Sequence, residues 1–381
     1  MSKTLSLAFV RQSYRPDGGA ERILERTLAA MAGRDIQPVV IARDWPGSGS
    51  GSAGLEVIRD PGRYRSRSSR LKGFAEFVCS TVTSRRFDLV QSHERIACCD
   101  IYRAGDGVHG EWLAQRARTR APLARVASRL SPYHAQVLDA EKTLFASPRL
   151  KAVICNSRMV KDEIRHWFDY PEERLHVIYN GVDQTIFSPA TRVSRQALLE
   201  QTGITGQPFV FLFVGSGFER KGLATALQAL ARTGGNSRLM VIGVDKNVAR
   251  YQRLAGRLGI ASRVFFLGRK NDVSKYYGAA DALLLPTLYD PFPNVCTEAF
   301  ASGLPVITSN KCGAAELIVN GGNGYVADAL DVAAFAENMK AVMEHGRDHY
   351  CDKAVATTKD LTLNNMVDKI VSLYGQVLER S

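Results

Sequence analysis

Short apolar runs alternate with stretches of helical periodicity along the chain, and the pattern runs through twice. In the first half Leu5 to Val10 reads as a strand, and Ala20, Ile23, Leu24, Thr27, Leu28 and Met31 then share one helical face. Pro38 to Ala42 and Leu55 to Ile58 continue as strands. Leu71, Phe74, Ala75, Val78 and Val82 form the inward face of a helix over 68–82. Strands are expected at 88–91, 101–104, 150–155 and 175–178, with helices over 110–130 and 133–146 and a third capped by Ser157. At Phe209 the pattern restarts. Phe209 to Gly215 is continuously apolar, as in a parallel strand covered on both faces. Leu223, Ala226, Leu227 and Leu230 form the helix face after it, and strands at 239–243, 264–267, 282–286, 305–308 and 324–327 follow. An amphipathic helix is expected over 361–378. Residues 184–208 separate the two runs and contain Pro189, Gly203, Gly206 and Pro208, which mark a boundary. The pattern predicts an α/β protein of two Rossmann-like domains, 1–187 and 188–360.

Candidate chemistry gathers where strands end. In Leu285–Ile318 a strand leads through a Pro-rich turn, Tyr289 to Val295, into a helix with Thr297 as its expected N-cap. The carboxylates Asp290 and Glu298 flank that turn. Free N–H groups at the helix start suit an anion, and a carboxylate there can accept both hydroxyls of a sugar diol. A turn residue and a first-turn acid would explain the same two positions without any ligand. After Phe209–Gly215 comes Gly-Ser-Gly-Phe-Glu-Arg-Lys-Gly, ending at Gly222. It is not a Walker A loop, because no Ser or Thr follows the lysine. Its flexible Gly217 turn and the cations Arg220 and Lys221 are what a diphosphate needs, though a surface Arg-Lys pair would read the same way. Gly18-Gly19 follows the first strand, where backbone could approach a ligand closely. The dinucleotide fingerprint G-x-G-x-x-G is absent, which leaves NAD chemistry unsupported. His93, Asp106 and His109 also lie at strand ends.

Composition narrows the class. With 381 residues, 45% hydrophobic and 23% charged, the chain has the make-up of a soluble globular enzyme. The apolar core of MSKTLSLAFVRQ is too short for a signal peptide, so a cytoplasmic location is expected. Seven dispersed cysteines without a C-x-x-C pair predict free thiols, with Cys98 and Cys99 in the core. The net charge of +12 is concentrated in two clusters, Arg59, Arg63, Arg65, Arg67, Arg70 and Lys72, and Arg103, Arg116, Arg118, Arg120, Arg125 and Arg129. No nucleic-acid module accompanies them, so nucleic acid is not an expected partner. A solvated face, an anionic membrane surface or an anionic acceptor accounts for them.

Taken together, VGSGFERKG, FLGRKNDVSKYYGAADALLLPT and EAFASGLPVIT make the chain resemble the GT-B glycosyltransferases of family 4, and within them the bacterial lipopolysaccharide core glucosyltransferases. The family pattern is two glutamates seven residues apart. Here Glu298 is the second, but Asp290, one methylene shorter, stands at the first. The resemblance implies a GT-B fold, two Rossmann-like domains facing across a cleft, with 361–381 crossing back to the N-terminal, acceptor-binding domain. It implies retaining transfer of a hexose, glucose from UDP-glucose, to a heptose of the lipopolysaccharide inner core or a similar glycolipid. Glu298 is then expected to bind the ribose and Asp290 the donor sugar. Backbone at Pro293, Asn294 and Val295 approaches sugar and diphosphate, Arg269 and Asn271 lie near the base, and Arg220 and Lys221 neutralise the diphosphate. Gly18 and Gly19 face the diphosphate, and Asp106 stands beside the acceptor, which makes His109 a less suitable base. With two fixed cations and no Asp-x-Asp motif, neither metal nor other cofactor is expected. The implied location is peripheral, on the inner face of the inner membrane. A sugar-nucleotide epimerase of the same fold, or a non-catalytic nucleotide-sugar-binding protein in which Asp290 marks decay, would share these donor-side residues.

Overall fold

The computed structural model describes residues 4–14, 19–31, 34–45, 55–121 and 131–379. The chain divides into two compact units, Met1–Tyr179 with Leu363–Ser381, and Asn180–Thr362. The division falls ahead of the expected 187/188 boundary for a local reason. The Asn180 side-chain amide donates to Asn294 Oδ1 at 2.8 Å, the Val182 N–H to the Leu361 carbonyl, and Phe187 packs edge-on against Tyr277. These contacts tie 180–187 to the second unit.

The first unit is built on a seven-stranded parallel sheet ordered β3-β2-β1-β4-β5-β6-β7. The strands are β1 (Leu5–Val10), β2 (Ile36–Ala42), β3 (Glu56–Arg59), β4 (Leu89–Ser92), β5 (Ile101–Arg103), β6 (Ala152–Cys155) and β7 (Leu175–Val177). Alternate residues face opposite sides, so the sheet has a core on each face. Ala8, Val10, Val90, Tyr102 and Val153 pack with Phe74 and Val78. Leu7, Phe9, Leu89, Ile101 and Ile154 pack with Met366, Val367, Ile370, Leu373 and Tyr374 of the C-terminal helix Leu363–Glu379. Burial on both faces is why these strands read as apolar runs without strict alternation.

The second unit has a six-stranded parallel sheet ordered β10-β9-β8-β11-β12-β13. Its strands are β8 (Phe209–Val214), β9 (Ser237–Ile242), β10 (Val264–Gly268), β11 (Ala282–Leu285), β12 (Val306–Ser309) and β13 (Gly324–Ala327). From β8 the chain winds outward to β10, then returns to the other side at β11. The loops after β8 and β11 therefore diverge at a switch point, where open α/β sheets place their ligands.

Several expectations are corrected. Cys79, on the helix Arg67–Ser84, forms a disulfide with Cys98, their Cα atoms 5.6 Å apart, so these two are not free thiols. The pairing is made by packing the helix against the loop after β4, which no count of cysteines reveals. Cys99, Cys155, Cys296, Cys312 and Cys351 are free. The helix expected over 110–130 runs as His109–Ala117, and Arg125 and Arg129 lie outside the described residues. Arg103 does not belong to a surface patch. It is 3% exposed at the end of β5, where burial pushes its guanidinium down to about 10. Two helices were not foreseen, Arg195–Gln201 in the expected linker and Arg347–Thr357. The latter buries only Arg347, Tyr350 and Ala354, too sparse a stripe to read as a helix.

Candidate functional site

The loop after β8 carries Arg220, Lys221 and Gly222 into the helix Leu223–Ala231. Gly222 has φ 77°, and a Cβ there would stand 1.7 Å from the Pro286 carbonyl oxygen. Only glycine lets the β8 loop lie against the end of β11. The contact is reinforced by the Arg220 carbonyl, which accepts from the Leu288 N–H at 2.8 Å and the Thr287 hydroxyl at 2.9 Å. Gly222→Ala is accordingly expected to cost about 1–3 kcal/mol through overpacking. Thermal unfolding measures it, and an unchanged midpoint would mean that the two loops are not locked at this point.

The β11 loop is held from its other side. The Asp290 N–H donates to the Lys311 carbonyl at 2.9 Å, and its carbonyl accepts from Gly313 at 2.8 Å. The carboxylate thus fixed is 6% exposed. Its Oδ2 accepts from Arg220 Nη1 at 2.9 Å and from Lys221 Nζ. Burial alone would raise the Asp290 carboxyl, but the Lys221 and Arg220 charges and hydrogen bonds outweigh it and hold the group below its ordinary value. The cations expected to face a diphosphate are therefore joined to the acid expected to face the sugar. Lys221 is 8% exposed, while the Arg220 side chain is 39% exposed.

The following helix is Asn294–Ala301, with Pro293 at its N-cap. Thr297 is not the cap expected from sequence. It lies inside the first turn, and its hydroxyl donates to the Asn294 carbonyl at 2.9 Å. Proline suits the position because its fixed φ sets an extended entry to the helix. Asn294 and Val295 thus belong to the helix start. Glu298, one turn on, is 4% exposed and accepts from the Tyr277 hydroxyl at 2.8 Å. Gly217 has φ 75° and open space where a Cβ would stand, and Arg269 and Asn271 are exposed on the loop after β10. The second unit so brings together Arg220, Lys221, Asp290 and the Asn294 helix start, with Arg269 and Asn271 at the same carboxyl edge of the sheet.

The first unit carries a polar cluster of its own at the carboxyl ends of β1, β4 and β5. Arg11 lies 3.4 Å from Glu94, and Arg95 Nε donates to Glu141 Oε1 at 2.8 Å. Asp106 stands between Arg11 and Arg95, 4.0 Å from each, with its side chain 52% exposed. His109 Nε2 is 3.0 Å from His134 Nδ1, and burial, with Arg95 next, pushes His109 down to about 3. His93 is buried, and burial followed by Arg103 and Arg11 holds it far below its usual value. Neither histidine carries charge at neutral pH. Gly18 lies outside the described residues, and Gly19 is the first residue of the helix Gly19–Ala30. Sequence reasoning missed Arg11, Glu94, Arg95 and Glu141. Arg11 directly follows β1, and Glu94 and Arg95 lie two and three residues past β4, and that placement was the available signal. Glu141 comes from a distant helix, Pro132–Phe145, and had none.

Comparison with known proteins agrees along the chain. Residues 194–358 match the family described as glycosyl transferases group 1, and residues 17–185 match glycosyltransferase family 4. The chain is 29% identical over 326 residues to the lipopolysaccharide glucosyltransferase WaaG of Escherichia coli (strain K12), covering 84% of each. It is 30% identical over 330 residues to the lipopolysaccharide core biosynthesis glycosyltransferase LpsE of Rhizobium meliloti (strain 1021), covering 87% of each. A crystal structure of WaaG, described as a glycosyltransferase involved in lipopolysaccharide biosynthesis, superimposes with a TM-score of 0.83 at 25% identity, over 97% of this chain and 99% of that one.

Proposed function

The chain belongs to the group 1, family 4 glycosyltransferases of GT-B fold, and on that premise we propose that it is a retaining hexosyltransferase of lipopolysaccharide core assembly, moving glucose from UDP-glucose to an inner-core heptose or a similar glycolipid. The observation that carries this reading is the Arg220–Lys221–Asp290 cluster at the switch point beside the Asn294 helix start. Lengthwise similarity to a lipopolysaccharide glucosyltransferase and to a lipopolysaccharide core biosynthesis glycosyltransferase supports the acceptor class.

Departure of a nucleoside diphosphate develops negative charge, which fixed donors and cations stabilise. Arg220, Lys221 and the positive end of the helix Asn294–Ala301 supply them, and no metal is assigned. Asp290 turns to the donor sugar when the diphosphate takes over its cations, and Glu298 takes the ribose. The leaving diphosphate oxygen, held by Lys221, accepts the proton of the attacking hydroxyl. Asp106, flanked by two guanidiniums and open to solvent, is placed to orient an acceptor hydroxyl.

Incubation with a panel of nucleotide sugars, with and without truncated lipopolysaccharide, tests the reading. Diphosphate release is expected from one donor and only with acceptor. An epimerised donor formed without acceptor would overturn it, and so would tight donor binding without turnover on any acceptor.

No helix among the described residues is long and apolar enough to cross a membrane. Arg59, Arg63, Arg65, Arg67 and Lys72 are each exposed, from the end of β3 into the helix Arg67–Ser84. These cations support a peripheral site on an anionic membrane surface, each contributing about 1 kcal/mol near such a surface. Binding to anionic vesicles is expected at low salt and to weaken as salt rises. Equal binding to neutral vesicles, or none at low salt, would count against it.

A further inference from the structure

Glu298 and Asp290 are both buried carboxylates, yet they are satisfied in opposite ways. Asp290 gathers two cations on one oxygen. The Glu298 side chain, in a residue 4% exposed, has one hydrogen bond among the described residues, accepted by Oε2 from the Tyr277 hydroxyl at 2.8 Å. A carboxylate accepts about four hydrogen bonds, and one so deeply buried is costly when most of that capacity is unused. Oε1 is thus left for a ligand, while Oε2 is committed to the protein.

Tyr277 is itself fixed. It is 0% exposed on the helix Ser274–Ala279, and its ring meets Phe187 edge-on at 5.5 Å and 88°. The adjoining Gly278 lies so close to the Thr191 carbonyl that a Cβ would stand 2.2 Å from it. The hydroxyl cannot follow Glu298 if the carboxylate rotates. A rigid donor on one oxygen therefore sets the plane in which the other is presented. Neither arm of that hydrogen bond is visible in the glycine-turn chemistry of the donor loops, because Tyr277 comes from a different helix 21 residues earlier.

We propose that Tyr277 is a positioning residue for nucleotide recognition: it orients Glu298 so that the chain selects a ribose over a deoxyribose in the donor. The inference rests on Glu298 as the ribose ligand. Its test measures the binding of UDP and of 2′,3′-dideoxyuridine diphosphate to the wild type, Tyr277→Phe and Glu298→Gln. The wild type is expected to prefer UDP. Tyr277→Phe keeps the ring and its packing and is expected to lose about 10–150-fold in UDP affinity, the scale of a hydrogen bond to a charged group. Its affinity for the dideoxy ligand is expected to stay at the wild-type value, which a merely structural role would not allow. A UDP preference kept in full by Tyr277→Phe, or an equal loss for both ligands, would overturn the inference while the ribose reading stands. A wild type that binds both ligands equally, or a Glu298→Gln variant that keeps the preference, would overturn the ribose reading and this inference with it. Circular dichroism of each variant shows whether a loss reflects unfolding.

Discussion

Lys221→Ala is expected to lower turnover by about 10²–10³-fold, the scale on which removal of one fixed charge-stabilising donor acts. The size follows from its setting. Lys221 is 8% exposed, and its stem runs beside Gly215, where an added Cβ would stand 3.1 Å from Cε. The ammonium is thereby aimed by packing, with little freedom to lose when it meets a phosphate. Arg220 cannot replace it, because its side chain is 39% exposed and a more solvated charge neutralises less. The loss is expected mainly in kcat, since the charge on the leaving diphosphate is largest in the transition state. Steady-state kinetics with the donor and acceptor found by the panel decides it. An unchanged turnover number would remove Lys221 from the mechanism.

The individual residues proposed to meet the donor could be singled out in the sequence because each sits in a local signal. Arg220 and Lys221 follow a glycine turn, and Asp290 and Glu298 keep a fixed spacing around a helix start. The strand and helix order was legible because sheets buried on both faces leave unmistakable apolar runs. Juxtaposition was not. Lys221 and Asp290 are 69 residues apart, and nothing in either segment says that one oxygen collects both cations. The same holds for Gly222, whose glycine is required by a carbonyl at Pro286, and for Cys79 and Cys98, joined only when a helix packs on a loop. Helix caps failed at Thr297 for a smaller reason. A threonine looks like a better cap than a proline, but the chain direction set by Pro291 and Pro293 starts the helix earlier.

Asp290→Asn is expected to destabilise the ligand-free protein and make it more responsive to UDP. Removing one member of a buried ion pair leaves an uncompensated charge, at a cost of about 3–5 kcal/mol. Here the member removed serves two cations, and the one left most deeply buried is Lys221. UDP brings back the missing negative charge, so it should raise the melting temperature of the variant by more than that of the wild type. On the proposed reading the diphosphate must first displace Asp290 from Arg220 and Lys221 in the wild type, which sets off part of its binding energy. Turnover should fall in the variant although UDP binds more tightly, because the carboxylate proposed to meet the sugar is gone. The pH dependence has a definite sign. Asp290 is held below its ordinary value of 3.8, so its stabilisation is complete above that pH and is lost as pH falls through the lower value of the folded state. The gap in melting temperature between wild type and variant should therefore be level from neutral pH down to about 4 and close below it. A gap that closes as pH rises, or a UDP response no larger in the variant, would mean that Asp290 does not hold the diphosphate's place.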